Sequence, residues 1–271
     1  IVFKTEEPGT KQKLAVAHGA YRSICFDLVN HLINDIVVMG AEPIAVQDAI
    51  ICGKLRPNVI IDMVEALADA CRSQQCSLTG GETSEQPGVI DSDTYILTAS
   101  VVGVVERAEV IDGSRIEIGD SIMALASNGV HTNGFSLIRR LLKNRPELAN
   151  ELIGQKTIIE QLLEPHCCYL QALRPCIGNS DLHGLAHITG GGIKDNVRRI
   201  LPEGVLAEID LQLIDVPEIF KILRSAGSLT TMEMLQVFNM GVGMVAIMAA
   251  GKETFLKSAA DSTDISCFQI G

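Results

Sequence analysis

Between Ser23 and Met39, apolar side chains at Leu28, Val29, Leu32, Ile33, Ile36 and Val37 cover one wide arc at a 3.6-residue period, and the run stops at Gly40. That spacing predicts an amphipathic helix with a glycine stop. Its other arc carries Asp27, His31, Asn34 and Asp35. These stand at i, i+4, i+7 and i+8, so they share a side of the helix. Ile1–Lys4 reads as a strand fragment and Thr5–Thr10, with Pro8 and Gly9, as a loop. Ile44–Cys52, Ser77–Thr79 and Thr94–Val105 read as strands, the last rich in β-branched residues. Ile60, Val64, Leu67 and Cys71 predict a second helix, capped by Asn58 and ending near Arg72.

The pattern restarts around Glu106–Asp112, which suggests two α/β domains, 1–107 and 108–271. In the second, Ser121–Ala126 reads as a strand and Gly134–Leu142 as a helix. Helices are expected near Pro146–Ile153 and Thr157–Leu173, then at Ile193–Ile200 and Pro217–Arg224. A strand at Gly243–Ala249 and an apolar segment, Ile265–Ile270, complete the run.

Length supports two domains, because 271 residues exceed the commonest single-domain size. With 47% hydrophobic residues but no Trp and only 4% aromatic residues, the cores must be aliphatic. That composition argues against a stacking platform for single-stranded nucleic acid. A net charge of −11 repels nucleic-acid backbones and anionic lipid, yet leaves room for a small phosphorylated substrate brought in with Mg²⁺. No apolar run approaches the roughly 18–20 residues of a membrane span, and no signal peptide is visible. Ile1 is no initiator, so the chain is expected to begin inside a longer protein. None of the eight cysteines forms a Cys-x-x-Cys pair, which predicts free thiols in a reducing cytoplasm and no cysteine zinc site.

Six segments could carry chemistry, and each also has a plain structural reading. The polar arc of the first long helix is either a solvated face or a carboxylate cluster for Mg²⁺. Asp27 and Asp35 lie two turns apart, about 12 Å along the axis, so they suit two ions better than one. Gly80-Gly81-Glu82-Thr83 is a glycine turn, or a close backbone approach that leaves Glu82 at a strand mouth. Gly9-Thr10-Lys11 resembles the tail of a phosphate loop without the full spacing. Thr189-Gly190-Gly191-Gly192 opens a helix, and its N–H groups could hold an anion. Asn128-Gly129-Val130-His131-Thr132-Asn133-Gly134 joins a strand to a helix, with His131 a possible acid or base. Phe238–Met244 alternates glycine with apolar residues, which suggests a tightly packed strand entry.

The order of these segments is more telling than any one of them. Asn34-Asp35, Gly40-Ala41-Glu42-Pro43, Gly80-Gly81-Glu82-Thr83, Pro87-Gly88, His131–Ser136, His187–Gly192 and Phe238–Met244 together resemble the AIR synthetase (phosphoribosylformylglycinamidine cyclo-ligase) family over essentially the whole chain. The resemblance implies a first domain that pairs with its copy as a β-barrel-like homodimer with ATP at the interface, and a second domain that closes over a nucleotide substrate. It also implies segments before and after the present chain. The implied reaction is ATP-dependent ring closure of formylglycinamidine ribonucleotide to aminoimidazole ribonucleotide.

The resemblance distributes roles over matching positions. Asp27, Asp35 and Glu82 would serve Mg²⁺. Glu6, Thr10, Lys11, Asp27 and Asn34 would bind ATP, and Thr189, Gly190, Gly191 and Gly192 the substrate phosphate. His131, Asn133 and Lys11 would be catalytic. One departure stands out: where the family has Asp-Gly-Val-Gly-Thr-Lys, this chain reads Glu6-Glu7-Pro8-Gly9-Thr10-Lys11. The change adds a carboxylate and removes a backbone N–H. Two other readings stay open: a superfamily paralogue using ATP on another substrate, and a catalytically weak nucleotide-binding homologue.

Overall fold

The computed structural model describes all of residues 1–271. In chain order the first half comprises β1 (Val2–Glu6), α1 (Lys11–Ala17), α2 (Tyr21–Val37), β2 (Glu42–Cys52), α3 (Pro57–Ser73), β3 (Ser77–Glu85) and β4 (Tyr95–Val104). The second half opens with β5 (Ser121–Ala126), α4 (Phe135–Asn144), β6 (Leu152–Ile153), β7 (Lys156–Thr157), α5 (Ile158–Leu162), α6 (Leu170–Leu173) and β8 (Leu182–His187). It continues with α7 (Gly192–Arg198), α8 (Glu218–Gly227), α9 (Thr231–Val237), β9 (Val242–Met248), α10 (Glu253–Asp261) and β10 (Cys267–Gln269).

The first sheet has the order β1-β4-β2-β3, antiparallel except for the parallel β2–β3 pair that α3 connects. The second has the order β10-β5-β9-β8 and is antiparallel throughout. In β4 every second residue from Tyr95 to Gly103 is buried, as expected where helices cover one face. One cluster of 38 buried residues runs from α2, α3 and the first sheet into α6, α10 and the near face of the second. The two halves therefore share a core, and the fully buried Tyr169 belongs to it.

The first sheet is open, with β1 and β3 as edges, so one chain alone closes no barrel, and the expected barrel concerns a pair of chains. Several expectations about single elements need correction. The helix over Pro57–Ser73 has Pro57 in its first turn and Arg56 as N-cap, so Asn58 is inside it. Val64 faces outward, and the buried face is Met63, Ala66, Leu67, Ala70 and Cys71. The strand at Ser77 does not end at the glycine pair but passes through it to Glu85. A Cβ on Gly81 would lie 2.3 Å from the Asp48 carbonyl oxygen, beside the register shift between Val46 and Asp48. The glycine thus admits a close strand approach at a bulge.

The expected helices over Pro146–Ile153 and Thr157–Leu173 break into a 3₁₀ turn, the β6–β7 hairpin, a short α5 capped by the Thr157–Glu160 box, and α6. Between α5 and α6 lies Pro165, which cannot continue a helix, and the backbone beyond it takes its partners from α2. Asp27 Oδ1 accepts from His166 N–H at 2.7 Å, Asn30 Nδ2 donates to the His166 carbonyl at 2.6 Å, and Asn34 bridges the Cys167 carbonyl (2.8 Å) and Tyr169 N–H (2.9 Å). Asp27, His31 and Asn34 of the polar arc are accordingly buried, and Asp35 is half-buried. All eight cysteines are free thiols, four of them buried. No helix is long and apolar enough to cross a membrane.

Candidate functional site

Four backbone segments converge on α2. The first loop places Gly9 against the Thr132 carbonyl, since a Cβ on Gly9 would lie 3.7 Å from it, and Thr10 Oγ1 lies 3.3 Å from Ser136 Oγ. The loop after β5 carries His131, Thr132 and Asn133. The glycine loop after β8 approaches it, because a Cβ on Gly190 would lie 3.4 Å from Asn133 Oδ1. The fourth is the Pro165–Tyr169 segment.

At their centre is a buried group of four imidazoles: His31, His131, His166 and His187. His131 stacks on His166 at 3.9 Å between centroids. His166 Nε2 lies 3.0 Å from His187 Nε2, and His187 Nδ1 lies 2.7 Å from Asp35 Oδ1. His31 Nδ1 is 3.1 Å from Thr132 Oγ1, and its Nε2 is 3.7 Å from Asp35 Oδ2. Lys4 on β1 completes the rim, its Nζ 2.8 Å from Asp35 Oδ2 and 3.0 Å from Glu6 Oε2.

This packing governs protonation. Burial holds His31 down to about 4, aided by neighbouring His187, and it pushes His131 and His166 well below their ordinary range. Burial alone would raise Asp35, but the hydrogen bond and charge of His187, with His31 and Lys4, hold it far below the usual carboxylate range. His131 is the exception in hydrogen bonding: both of its ring nitrogens are buried without a partner. Its backbone is also left-handed, with φ of 64°. An imidazole held in this way is primed for a ligand that supplies its hydrogen bonds.

The expected site residues divide into those at this cluster and those committed elsewhere. His131, Asp35, Glu6, Thr10, Asn133 and Gly190 lie at or beside it. Lys11 does not present an ammonium to a phosphate. It is fully buried, with Nζ donating to Asp27 Oδ1 at 2.9 Å and to the Glu164 carbonyl at 2.7 Å and ion-paired with Asp27 Oδ2 at 2.7 Å. Burial pushes this pair toward neutrality, Lys11 down and Asp27 up to about 6. Asp27 and Asn34 are likewise spent on Lys11 and on the Pro165–Tyr169 backbone.

Glu82 lies on β3, three strands from Glu6 along the row Glu6–Ala99–Asp48–Gly81, about 14 Å away. Asp27, Asp35 and Glu82 therefore do not converge on one Mg²⁺. The donor set around Asp35 is also half nitrogen, which does not suit an ion that demands oxygen. In Thr189–Gly192 the glycines have packing reasons of their own: a Cβ on Gly192 would lie 1.9 Å from the Leu235 carbonyl oxygen. Asn196 Nδ2 ties down the loop through the Gly192 and Gly190 carbonyls at 2.8 and 3.3 Å.

Three functional-looking residues escape sequence reasoning. Lys4 and His166 carry no motif signal beyond their types, His187 opens the His187–Gly192 motif but had no expected role, and only folding brings the three to α2. A concavity of about 710 Å³ is lined by α7, α9 and the 201–211 segment, with an aliphatic wall and Lys194 and Arg198 among its residues. None of the four histidines lines it.

Two α/β halves sharing a core, with a buried histidine cluster on α2, define a two-domain α/β fold. Residues 1–105 match the family described as AIR synthase related protein, N-terminal domain, and residues 117–271 its C-terminal domain. The chain belongs to the AIR synthase related protein family. It is 41% identical over 251 residues to a protein named phosphoribosylformylglycinamidine cyclo-ligase from Neisseria meningitidis serogroup B, covering 92% of this chain and 73% of that protein. Proteins of the same name from Neisseria gonorrhoeae and Prochlorococcus marinus are 39% and 37% identical, each match covering 100% of this chain and 79% of the relative. The fold also resembles E. coli HypE, a hydrogenase maturation protein, with a TM-score of 0.68, 19% identity and coverage of 92% and 72%. Thiamine-monophosphate kinase from Stenotrophomonas maltophilia gives 0.66 and 17%, covering 100% of this chain and 80% of that one. At these identities the structural likeness speaks to fold alone.

Proposed function

We propose that this chain carries out ATP-dependent closure of the imidazole ring in purine biosynthesis, converting formylglycinamidine ribonucleotide to aminoimidazole ribonucleotide with release of ADP and phosphate. The observation that carries this is 37–41% identity, over 92–100% of the chain, to proteins named for that reaction. The chemical problem is a poor leaving group. The formyl oxygen must depart as the amidine nitrogen attacks the same carbon, and transfer of the γ-phosphoryl group to that oxygen lets it leave as phosphate. The protein then contributes positioning and charge placement.

His131 is the residue for proton transfer at the reacting amidine, because it is neutral, buried and unpartnered. Asn133, beside Gly190, orients the substrate, and the Thr189–Gly192 loop braced by Asn196 receives its phosphate. Thr10 and Glu6 lie on the nucleotide side. The face of the first sheet away from α2, where Phe3 is 64% exposed, serves a homodimer. The sealed Lys11–Asp27 pair favours one further reading, a homologue that binds nucleotide and turns over weakly, because it withholds the loop cation from phosphate.

The test is ADP release from ATP and Mg²⁺ with and without formylglycinamidine ribonucleotide. Substrate-dependent ADP formed together with aminoimidazole ribonucleotide supports the cyclo-ligase. ATP binding by folded protein without substrate-dependent turnover defeats it in favour of the weak homologue. Turnover with another acceptor defeats it in favour of a paralogue.

A further inference from the structure

His31 and Asp35 are one helical turn apart on α2, so their side chains emerge on the same side. His187, at the end of β8 in the other half of the chain, brings its ring to them. One ligand atom from each of the three lies within 4.8 Å of the other two. Glu6 Oε2 stands 4.0 Å from His31 Nε2, within reach of a fourth position. Tetrahedral bond lengths of about 2.0–2.2 Å put ligand atoms roughly 3.3–3.6 Å apart, so two imidazole nitrogens and two carboxylates at such separations would close by up to about 1.5 Å around an ion.

The outer side of each ring strengthens the case. If His31 bound an ion through Nε2 and His187 through Nδ1, the opposite nitrogens would carry hydrogen and need acceptors. Both have one: Thr132 Oγ1 at 3.1 Å from His31 Nδ1, and His166 Nε2 at 3.0 Å from His187 Nε2. Metal-binding histidines are oriented in this way by partners behind them. His31 and His187 are also 8% and 6% exposed, which keeps water from competing. Lys4 marks the place where positive charge is wanted, because its ammonium spans Glu6 and Asp35. Its side chain is 37% exposed on an edge strand, so it can swing out to water.

We propose that His31, Asp35 and His187, with Glu6 as fourth donor, bind a borderline divalent transition cation of the Zn²⁺ type, which clamps α2 and β1 of the first half to β8 of the second. Imidazole donors select such ions over Mg²⁺, whose preference is for oxygen. Lys4 is the built-in competitor that the ion displaces. The site stands on donor geometry and not on the ring-closure reading.

The experiment uses metal-stripped protein. Equilibrium dialysis against Zn²⁺, and separately Mg²⁺, is read by elemental analysis, and Co²⁺ is titrated as a spectroscopic probe. One Zn²⁺ per chain is expected at micromolar or lower free metal, with a Co²⁺ visible band of four- or five-coordinate character. His31→Ala and His187→Ala should each weaken Zn²⁺ binding at least 10-fold, and Lys4→Met should tighten it. The Co²⁺ spectrum of the unaltered protein tests the site even if a histidine variant fails to fold. Zn²⁺ binding that His31→Ala and His187→Ala leave intact, a Co²⁺ spectrum of six-coordinate oxygen type, or no stoichiometric Zn²⁺ uptake would each overturn the proposal. Zn²⁺ uptake without ring closure upholds the site and sinks the reaction, and ring closure without Zn²⁺ uptake does the reverse.

Discussion

The His131 ring lies against that of His166, 3.9 Å between centroids and 23° between planes, while neither His131 nitrogen has a partner. A buried imidazole without hydrogen bonds costs stability, and one held at a φ of 64° adds backbone strain. His131→Asn keeps a residue tolerant of the left-handed backbone and removes the imidazole. Turnover is expected to fall by about 10²–10⁴-fold with thermal stability unchanged or slightly raised. Steady-state kinetics beside a melting curve checks this, and unchanged kcat would remove the proton-transfer role.

The Lys11–Asp27 pair predicts a stability effect. Removing one partner strands a fully buried charge, so Lys11→Met or Asp27→Asn should each cost about 3–5 kcal/mol in urea unfolding. The double variant Lys11→Met/Asp27→Leu strands no charge, and it should recover most of the loss. If Lys11→Met abolished activity at full stability, Lys11 would be a phosphate ligand that leaves Asp27 during turnover.

The histidine cluster makes stability depend on pH. His31, His131 and His166 are held below their ordinary value of 6.5, His31 at about 4. The unfolded chain therefore takes up protons that the folded chain refuses, and stability is full above about 6.5 and lost as pH falls toward 4. Each histidine contributes a slope of up to about 1.4 kcal/mol per pH unit in that window. Asp27, raised to about 6, opposes them over the same window, because the folded state binds its proton first. The net expectation is weaker folding at pH 5 than at pH 7. Urea midpoints at the two pH values test the sign, and equal midpoints would contradict it.

Gly243 lies under Tyr169 and His131. An added Cβ would stand 1.8 Å from Tyr169 Oη and 2.7 Å from His131 Cε1. Gly243→Ala should cost at least about 1–3 kcal/mol and break the 2.8 Å bond from Tyr169 Oη–H to the Ala126 carbonyl. Adding Tyr169→Phe vacates the oxygen's place, so the double variant should be more stable than Gly243→Ala alone. Chemical denaturation of the three proteins decides it.

The open face of the first sheet bears on assembly. Phe3, Ile44 and Val104 are exposed large apolar residues of β1, β2 and β4. Phe3→Glu with Ile44→Glu should leave the fold intact and convert a dimer to a monomer in sedimentation velocity. A monomer before substitution would defeat the homodimer.

Much of the architecture was legible in residue order. The helix over Tyr21–Val37 and the strands at β2, β4, β5 and β9 announced themselves because periodicity is local, set by which face each side chain must bury. The family was legible from glycine-bearing motifs in sequence order. The site was legible only in part. His131 stood in a recognisable loop, but the burial of Lys11, the use of Asp27 and Asn34 as anchors for Pro165–Tyr169, and the meeting of Asp35 with His187 across 152 positions depend on contacts between distant segments. Those contacts follow from which polar groups are left without water once the shared core forms, and no local pattern encodes that. By itself the sequence determined the elements, the family and the chemical types available. Tertiary structure alone decided which carboxylates stay free, which are neutralised, and that four scattered histidines become one buried cluster.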